Sequence, residues 1–161
     1  MARYNRGFTL IEILVSIAIL AIIISLGLFI SMDFFKSYSF RSEESIVVSL
    51  LQNARSQSLN NINQVRHGIH FQNPLKYIVF ECDSSEPQCT DYSDADTLKD
   101  LIIDPAYNSS ISSPGLPFDV IFEQLNGSCI TSNCSTLLTI TANDGTKSYN
   151  IMVNSEGQID W

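Results

Sequence analysis

One carboxylate stands alone in an apolar run. Glu12 is the only ionisable side chain in Phe8–Ile30 (FTLIEILVSIAILAIIISLGLFI). An acid in hydrocarbon costs about 2.5–3.5 kcal/mol on insertion scales, so it needs a partner, and the run contains no cation. Four thiols, Cys82, Cys89, Cys129 and Cys134, form a second group. They allow three pairings. The local choice, Cys82–Cys89 with Cys129–Cys134, pins two loops, and the alternative bridges one loop to the other. No C-x-x-C is present, so redox catalysis and a zinc ribbon are poorly supported and structural disulfides are expected. His67 and His70 invite a metal reading, but on a strand residues three apart point to opposite faces and cannot share an ion without a bulge. Asp91, Asp94, Asp96, Asp100 and Asp104 could supply oxygen ligands to calcium. The EF-hand spacing and its turn glycine are missing, and a solvated acidic loop is the reading. With no P-loop, dinucleotide motif or nucleophile–base set, no catalytic residue, metal or cofactor is expected.

The elements that must position these residues follow from composition and periodicity. Of 161 residues, 45% are hydrophobic and only 16% charged, against an ordinary share of about 25%, so part of the chain avoids water. The formal charge of −8 argues against broad nucleic-acid binding, which relies on Lys and Arg to neutralise phosphates. As a helix, Phe8–Ile30 reaches about 34 Å, enough for a hydrocarbon core of about 30 Å. It is apolar on every face. Arg3 and Arg6 precede it with no acid in residues 1–7, which keeps the N-terminus cytoplasmic and the rest of the chain on the exported side. The run exceeds the h-region of a secretory signal, and no Ala-x-Ala follows it. A plain signal anchor would leave Glu12 unexplained.

Arg6-Gly7-Phe8-Thr9-Leu10-Ile11-Glu12, after a short basic leader, resembles the type III signal of type IV pilins and type II secretion pseudopilins. That resemblance implies cleavage by a prepilin peptidase between Gly7 and Phe8 and N-methylation of Phe8. It also implies pairing of Glu12 with the Phe8 amine of a neighbouring subunit, which sets assembly register. Losing Arg3 and Arg6 with the leader takes the formal charge from −8 to −10.

After Ile30 the chain turns polar without a stop signal. Met32–Asn60 lacks Pro and Gly, and Val47, Leu50, Leu51, Ala54 and Ser58 or Leu59 follow the 3.6 period, with Glu43 and Glu44 expected opposite. One long helix is predicted from about Thr9 to Asn60. Beyond it the period becomes 2, predicting strands at Gln64–Gln72, Lys76–Cys82, Phe118–Gln124, Leu137–Ala142 and Ser148–Val153, and a short last strand at Gln158–Trp161. Asn143-Asp144-Gly145 is a hairpin signal. Residues 83–117 read as an irregular acidic loop with a short helical turn at Thr97–Ile103. The fold class is therefore α+β. A leader (residues 1–7), a transmembrane or filament-core helix (residues 8–30) and its amphipathic continuation (residues 31–62) precede an antiparallel β-rich head (residues 63–161). This layout, with NARSQSLN at Asn53–Asn60 and the closing VNSEGQI, resembles the GspH/FimT-like minor pilins and pseudopilins.

The resemblance implies a non-enzymatic structural subunit, a minor pilin or pseudopilin. Its implied partners are other pilin subunits, prepilin peptidase, the inner-membrane assembly platform and membrane lipid. It would reside in the cytoplasmic membrane as a single-pass protein and then enter a pilus or pseudopilus. Two rivals remain. A DNA-receptor minor pilin would need cations in the closing segment, which reads Ser155-Glu156-Gly157-Gln158-Ile159-Asp160-Trp161 with none beyond Lys147. A membrane-anchored binding module that never polymerises would keep its leader.

Overall fold

The computed structural model describes residues 8–105 and 109–161, the side chains of residues 28–33 excepted. The chain divides into two units, Met1–Tyr38 and Ser39–Trp161. The architecture is α+β with a pilin-like layout: helix α1, Leu10–Leu59, is followed by antiparallel strands. Its 50 residues contain Gly27 but no Pro, so nothing removes a backbone donor from the ladder. The helix ends at Asn60-Asn61, where Asn61 takes a left-handed φ of 51°, a conformation that asparagine tolerates better than most residues. Asn60 Nδ2 donates to the Ser56 carbonyl at 2.8 Å, satisfying one of the last carbonyls.

Among the described residues eight strands follow: β1 His67–Gln72, β2 Lys76–Glu81, β3 Leu101–Ile103, β4 Ser109–Ser113, β5 Phe118–Phe122, β6 Leu137–Ala142, β7 Ser148–Val153 and β8 Ile159–Asp160. They form two four-stranded sheets, ordered β3-β2-β1-β5 and β4-β6-β7-β8. β6 and β7 join through Asn143-Asp144-Gly145, with Gly145 at a φ of +69° and its N–H donating to the Ala142 carbonyl at 2.8 Å. Alternation divides each strand between two faces. Ile69 and Phe71, Tyr77 and Val79, and Phe118, Val120 and Phe122 point inward from the first sheet. Leu138, Ile140, Tyr149, Ile151 and Val153 do so from the second. Phe40, Val47, Val48, Leu51 and Ala54 of α1 complete one core with both sets.

Several boundaries and one side chain depart from the sequence reading. β1 starts at His67 rather than Gln64, because Asn61, Asn63 and Gln64 all take positive φ and turn the chain first. Residues 83–117 contain β3 and β4, and the expected helical turn over Thr97–Ile103 ends instead in strand, the single-turn 3-10 helix being Tyr92–Asp94. Three residues are too few to show a period, and β3 exists only because it pairs with Tyr77–Val79. Glu43, expected on the solvent side, is fully buried. Positions 43, 47, 51, 54 and 58 share one helical stripe, so periodicity placed Glu43 inward and only its charge argued otherwise. The Tyr77 hydroxyl donates to Glu43 Oε1 and satisfies it there. On the same stripe Ser58, not Leu59, is the buried residue.

Gly68 lies where three strands crowd. A Cβ there would stand 2.7 Å from the Val120 carbonyl oxygen and 2.9 Å from both Ile121 Cγ1 and Phe80 Cζ. Backbone cannot yield as a flexible side chain can. Gly68→Ala is therefore expected to destabilise the chain by about 1–3 kcal/mol, read as a lowered midpoint in chemical denaturation of the full-length protein in detergent.

Candidate functional site

The lone acid of the apolar run is hydrogen-bonded within its own first turn. The Thr9 N–H donates to Glu12 Oε2 at 2.9 Å and the Thr9 hydroxyl donates to the same oxygen at 2.8 Å. In return the Glu12 N–H donates to Thr9 Oγ1 at 3.3 Å. This reciprocal arrangement is a capping box, which satisfies two backbone donors that a helix N-terminus otherwise leaves open. One turn on, the Ser16 hydroxyl donates to the Glu12 carbonyl at 2.7 Å. The Thr-x-x-Glu spacing is visible in the sequence and would have revealed the cap.

Around this cap the helix is apolar and uncovered. Phe8 is 85% exposed, and the large aliphatic side chains of Leu10–Leu26 are exposed on every side. Each is worth about 1.5–3 kcal/mol when removed from water, so this surface demands lipid or other helices. Leu10–Gly27 is long and apolar enough to cross a membrane. Gly7 and the rest of the expected leader lie outside the described residues.

In the head the cysteines form both local bridges, Cys82–Cys89 and Cys129–Cys134. Cys82 and Cys89 join Val65, Phe80 and Ile121 in a second apolar cluster on the outer face of the first sheet. Residues 83–100 cover that face. Arg66 anchors this cover: its Nη1 donates to the Gln88 and Cys89 carbonyls at 2.7 and 3.2 Å, and its Nε and Nη2 grip Glu123 at 3.2 and 2.5 Å. Sequence reasoning missed this fork, since Arg66, Gln88 and Glu123 converge only through the sheet.

The two histidines lie on opposite faces of β1. His70 Nδ1 is 2.6 Å from Asp119 Oδ1, and its ring stacks on Tyr92 at 4.3 Å. Asp119 Oδ2 accepts the Tyr92 N–H at 3.1 Å. His67 Nε2 lies 3.6 Å from Glu81 Oε2, and Asn63 Nδ2 donates to that oxygen at 2.7 Å. Lys99 Nζ reaches Glu81 Oε1 and is 3.2 Å from Asp96.

Of the aspartates in the acidic segment, Asp91 and Asp104 are exposed, and Asp91 and Asp96 also shape turns. Asp91 accepts the Ser93 N–H at 2.8 Å, Asp96 accepts the Leu98 N–H at 3.2 Å, and Asp100 accepts the Tyr92 hydroxyl. Burial and the neighbouring Asp100 carboxyl push that phenol up to about 12. Among the described residues no group of three or more His, Cys, Asp or Glu is arranged to hold a metal ion.

Residues 2–28 match the prokaryotic N-terminal methylation motif. The segment is a type IV pilin-like prepilin signal. This prepilin signal takes in Thr9, Glu12 and the apolar helix as far as Leu28, and the match ends before the head. No curated protein and no solved structure matched the chain.

The charge cluster at Glu81 makes the head sensitive to acid. Burial pushes the His67 imidazole below its usual value of 6.5, against the pull of the Glu81 charge. Burial also opposes ionisation of Glu81. The hydrogen bonds from Lys99 and Asn63 and the nearby positive charge outweigh it, holding the carboxyl below its usual 4.5. Both groups thus bind protons more weakly in the folded chain than in the unfolded one, so acid favours unfolding. Stability is expected to be full above pH 6.5 and to fall below it through His67, then further below 4.5 through Glu81. Thermal unfolding of the full chain across this range checks the sign, and His67→Gln should flatten the upper part of the profile.

Proposed function

We propose that this chain is a minor pilin or pseudopilin, a structural subunit built into a type IV pilus or a type II secretion pseudopilus. The observation that carries the reading is the methylation motif over residues 2–28, centred on a hydrogen-bonded acid in an otherwise apolar helix. A prepilin peptidase cuts between Gly7 and Phe8, and the Phe8 amine is N-methylated. The methylated amine still carries a proton and hence a charge. The subunit waits in the cytoplasmic membrane with its head on the exported side. The assembly platform then moves it into a filament of like subunits.

The cap refines the role of Glu12. Thr9 occupies Oε2, and Oε1 takes the cation of the Phe8 amine on an adjacent subunit. Burial of the apolar helices supplies most of the assembly energy, because it is large and non-directional. The charge pair selects axial position, because breaking a buried pair leaves an uncompensated charge.

Glu12→Ala is expected to leave membrane insertion intact, since it removes the one ionisable side chain opposing it. Incorporation into filaments should fall by about tenfold or more, as a hydrogen bond to a charged group is worth roughly 1.5–3 kcal/mol. The assay is the amount of the variant in sheared filaments, with N-terminal mass spectrometry on the native chain. Undiminished incorporation removes the register role, and a native chain that keeps residues 1–7 removes the assembly reading altogether.

A further inference from the structure

We propose that the outer edge of β3 is a docking strand for an extended segment of another protein, one that alternates apolar residues with Lys or Arg. Among the described residues the two sheets have four edge strands, β3, β5, β4 and β8. Exposed edges invite pairing with other chains, and folded proteins blunt them. β5 is covered by the bridge from Phe122 to Cys129 and by the Ile130 N–H donating to the Ile121 carbonyl at 3.0 Å. β4 is serine-rich and its register breaks between Ile111 and Ser113. β8 has two residues, one of them Asp160.

β3 has none of these protections apart from its shortness. Its sequence, Leu-Ile-Ile, carries no charge, proline or bulge. Among the described residues no strand pairs with its outer side. Leu98 is 95% exposed, Leu101 54% and Ile102 57%, so three large aliphatic side chains meet water within five residues. Leu101 and Ile102 leave the strand on opposite faces, so exposed apolar side chains border the edge on both sides.

Charge selects the partner. Asp94, Asp96, Asp100 and Asp104 precede and follow the strand in sequence; Asp96 and Asp104 pair with lysines and Asp100 accepts the Tyr92 hydroxyl, so four acids stand against two lysines. The two nearby lysines are already held within the chain, Lys99 by Glu81 and Asp96 and Lys76 by Asp104 at 3.6 Å. A second copy pairing β3 with β3 would bring two acidic borders together, which repel. A basic-apolar strand satisfies the open backbone, the aliphatic patch and the acidic border at once. This is strand addition, in which the main chain supplies affinity and alternate side chains supply specificity. Docking at this edge does not require that the chain enter a filament.

The test uses the full-length chain in detergent micelles and fluorescence anisotropy of labelled ten-residue peptides. One peptide alternates valine with lysine, one alternates valine with glutamate, and one is the lysine peptide N-methylated at every second amide. The lysine peptide is expected to bind saturably, about tenfold or more tighter than the glutamate peptide, and more weakly as salt rises. N-methylation should abolish binding, and Leu98→Ser with Ile102→Thr should weaken it about fivefold or more while the circular dichroism of the chain stays unchanged. Four results would overturn the proposal: absence of lysine-peptide binding, equal binding of the glutamate peptide, and binding indifferent either to N-methylation or to the double substitution. Self-association of the chain that the double substitution abolishes would assign the edge to a second copy instead.

Discussion

A carboxylate inside an apolar helix has to be hydrogen-bonded, and what is proposed for the N-terminal segment depends on how Glu12 meets that need. Two deficits meet at the start of α1. The first turn of any helix has N–H groups without carbonyl partners, and the acid has oxygens without donors. Thr9 and Glu12 resolve both in one reciprocal cap. Within the proposed role, the acid is therefore tolerable in a lone subunit waiting in the membrane. A neighbour's amine is then needed for axial choice rather than for insertion.

In the head, a few buried polar groups set the seating of residues 39–59 of α1 on the sheets. The Ser58 hydroxyl donates to the Phe122 carbonyl at 3.0 Å and accepts the His67 N–H at 3.0 Å, joining the helix to β5 and β1 at one atom. The Ser58 carbonyl accepts the Leu125 N–H at 3.0 Å as well. A shift of the helix by one residue would leave these groups buried without partners, which costs more than the bonds themselves contribute. Glu43 and Tyr77 make a second such contact, and burial with the adjacent carboxyl keeps the Tyr77 hydroxyl protonated well beyond the ordinary phenol range. Apolar contacts hold the layers together, while these bonds choose one alignment among several.

The acidic stretch after β2 serves the head as a wall. Its apolar members, Cys89 and Tyr92, fall on Phe80, Cys82 and Ile121, and the Cys82–Cys89 bridge, the Arg66 fork and Lys99 fasten it at intervals. β1, β2 and β5 are consequently covered on both faces. Its aspartates shape turns that let a Ser- and Pro-rich segment follow the sheet closely.

Much of this was legible in order along the chain. The extent of α1, the strands β6 and β7, their Asn-Asp-Gly turn and the prepilin-type motif all depend on contacts within a few residues, and local pattern records those directly. Glu43 shows where pattern and residue type conflict: its position on the stripe was plain, but its burial required Tyr77, 34 residues away in sequence. The chain by itself determined the long helix, the strands β1, β2 and β5 to β8 and that an acid sits in an apolar span, because backbone geometry and hydrophobic period are local. Only the tertiary structure decided that β3 exists, that Arg66 meets Glu123, and that β3 lies at the edge of its sheet among the described residues, because those outcomes rest on strands far apart in sequence becoming neighbours in space.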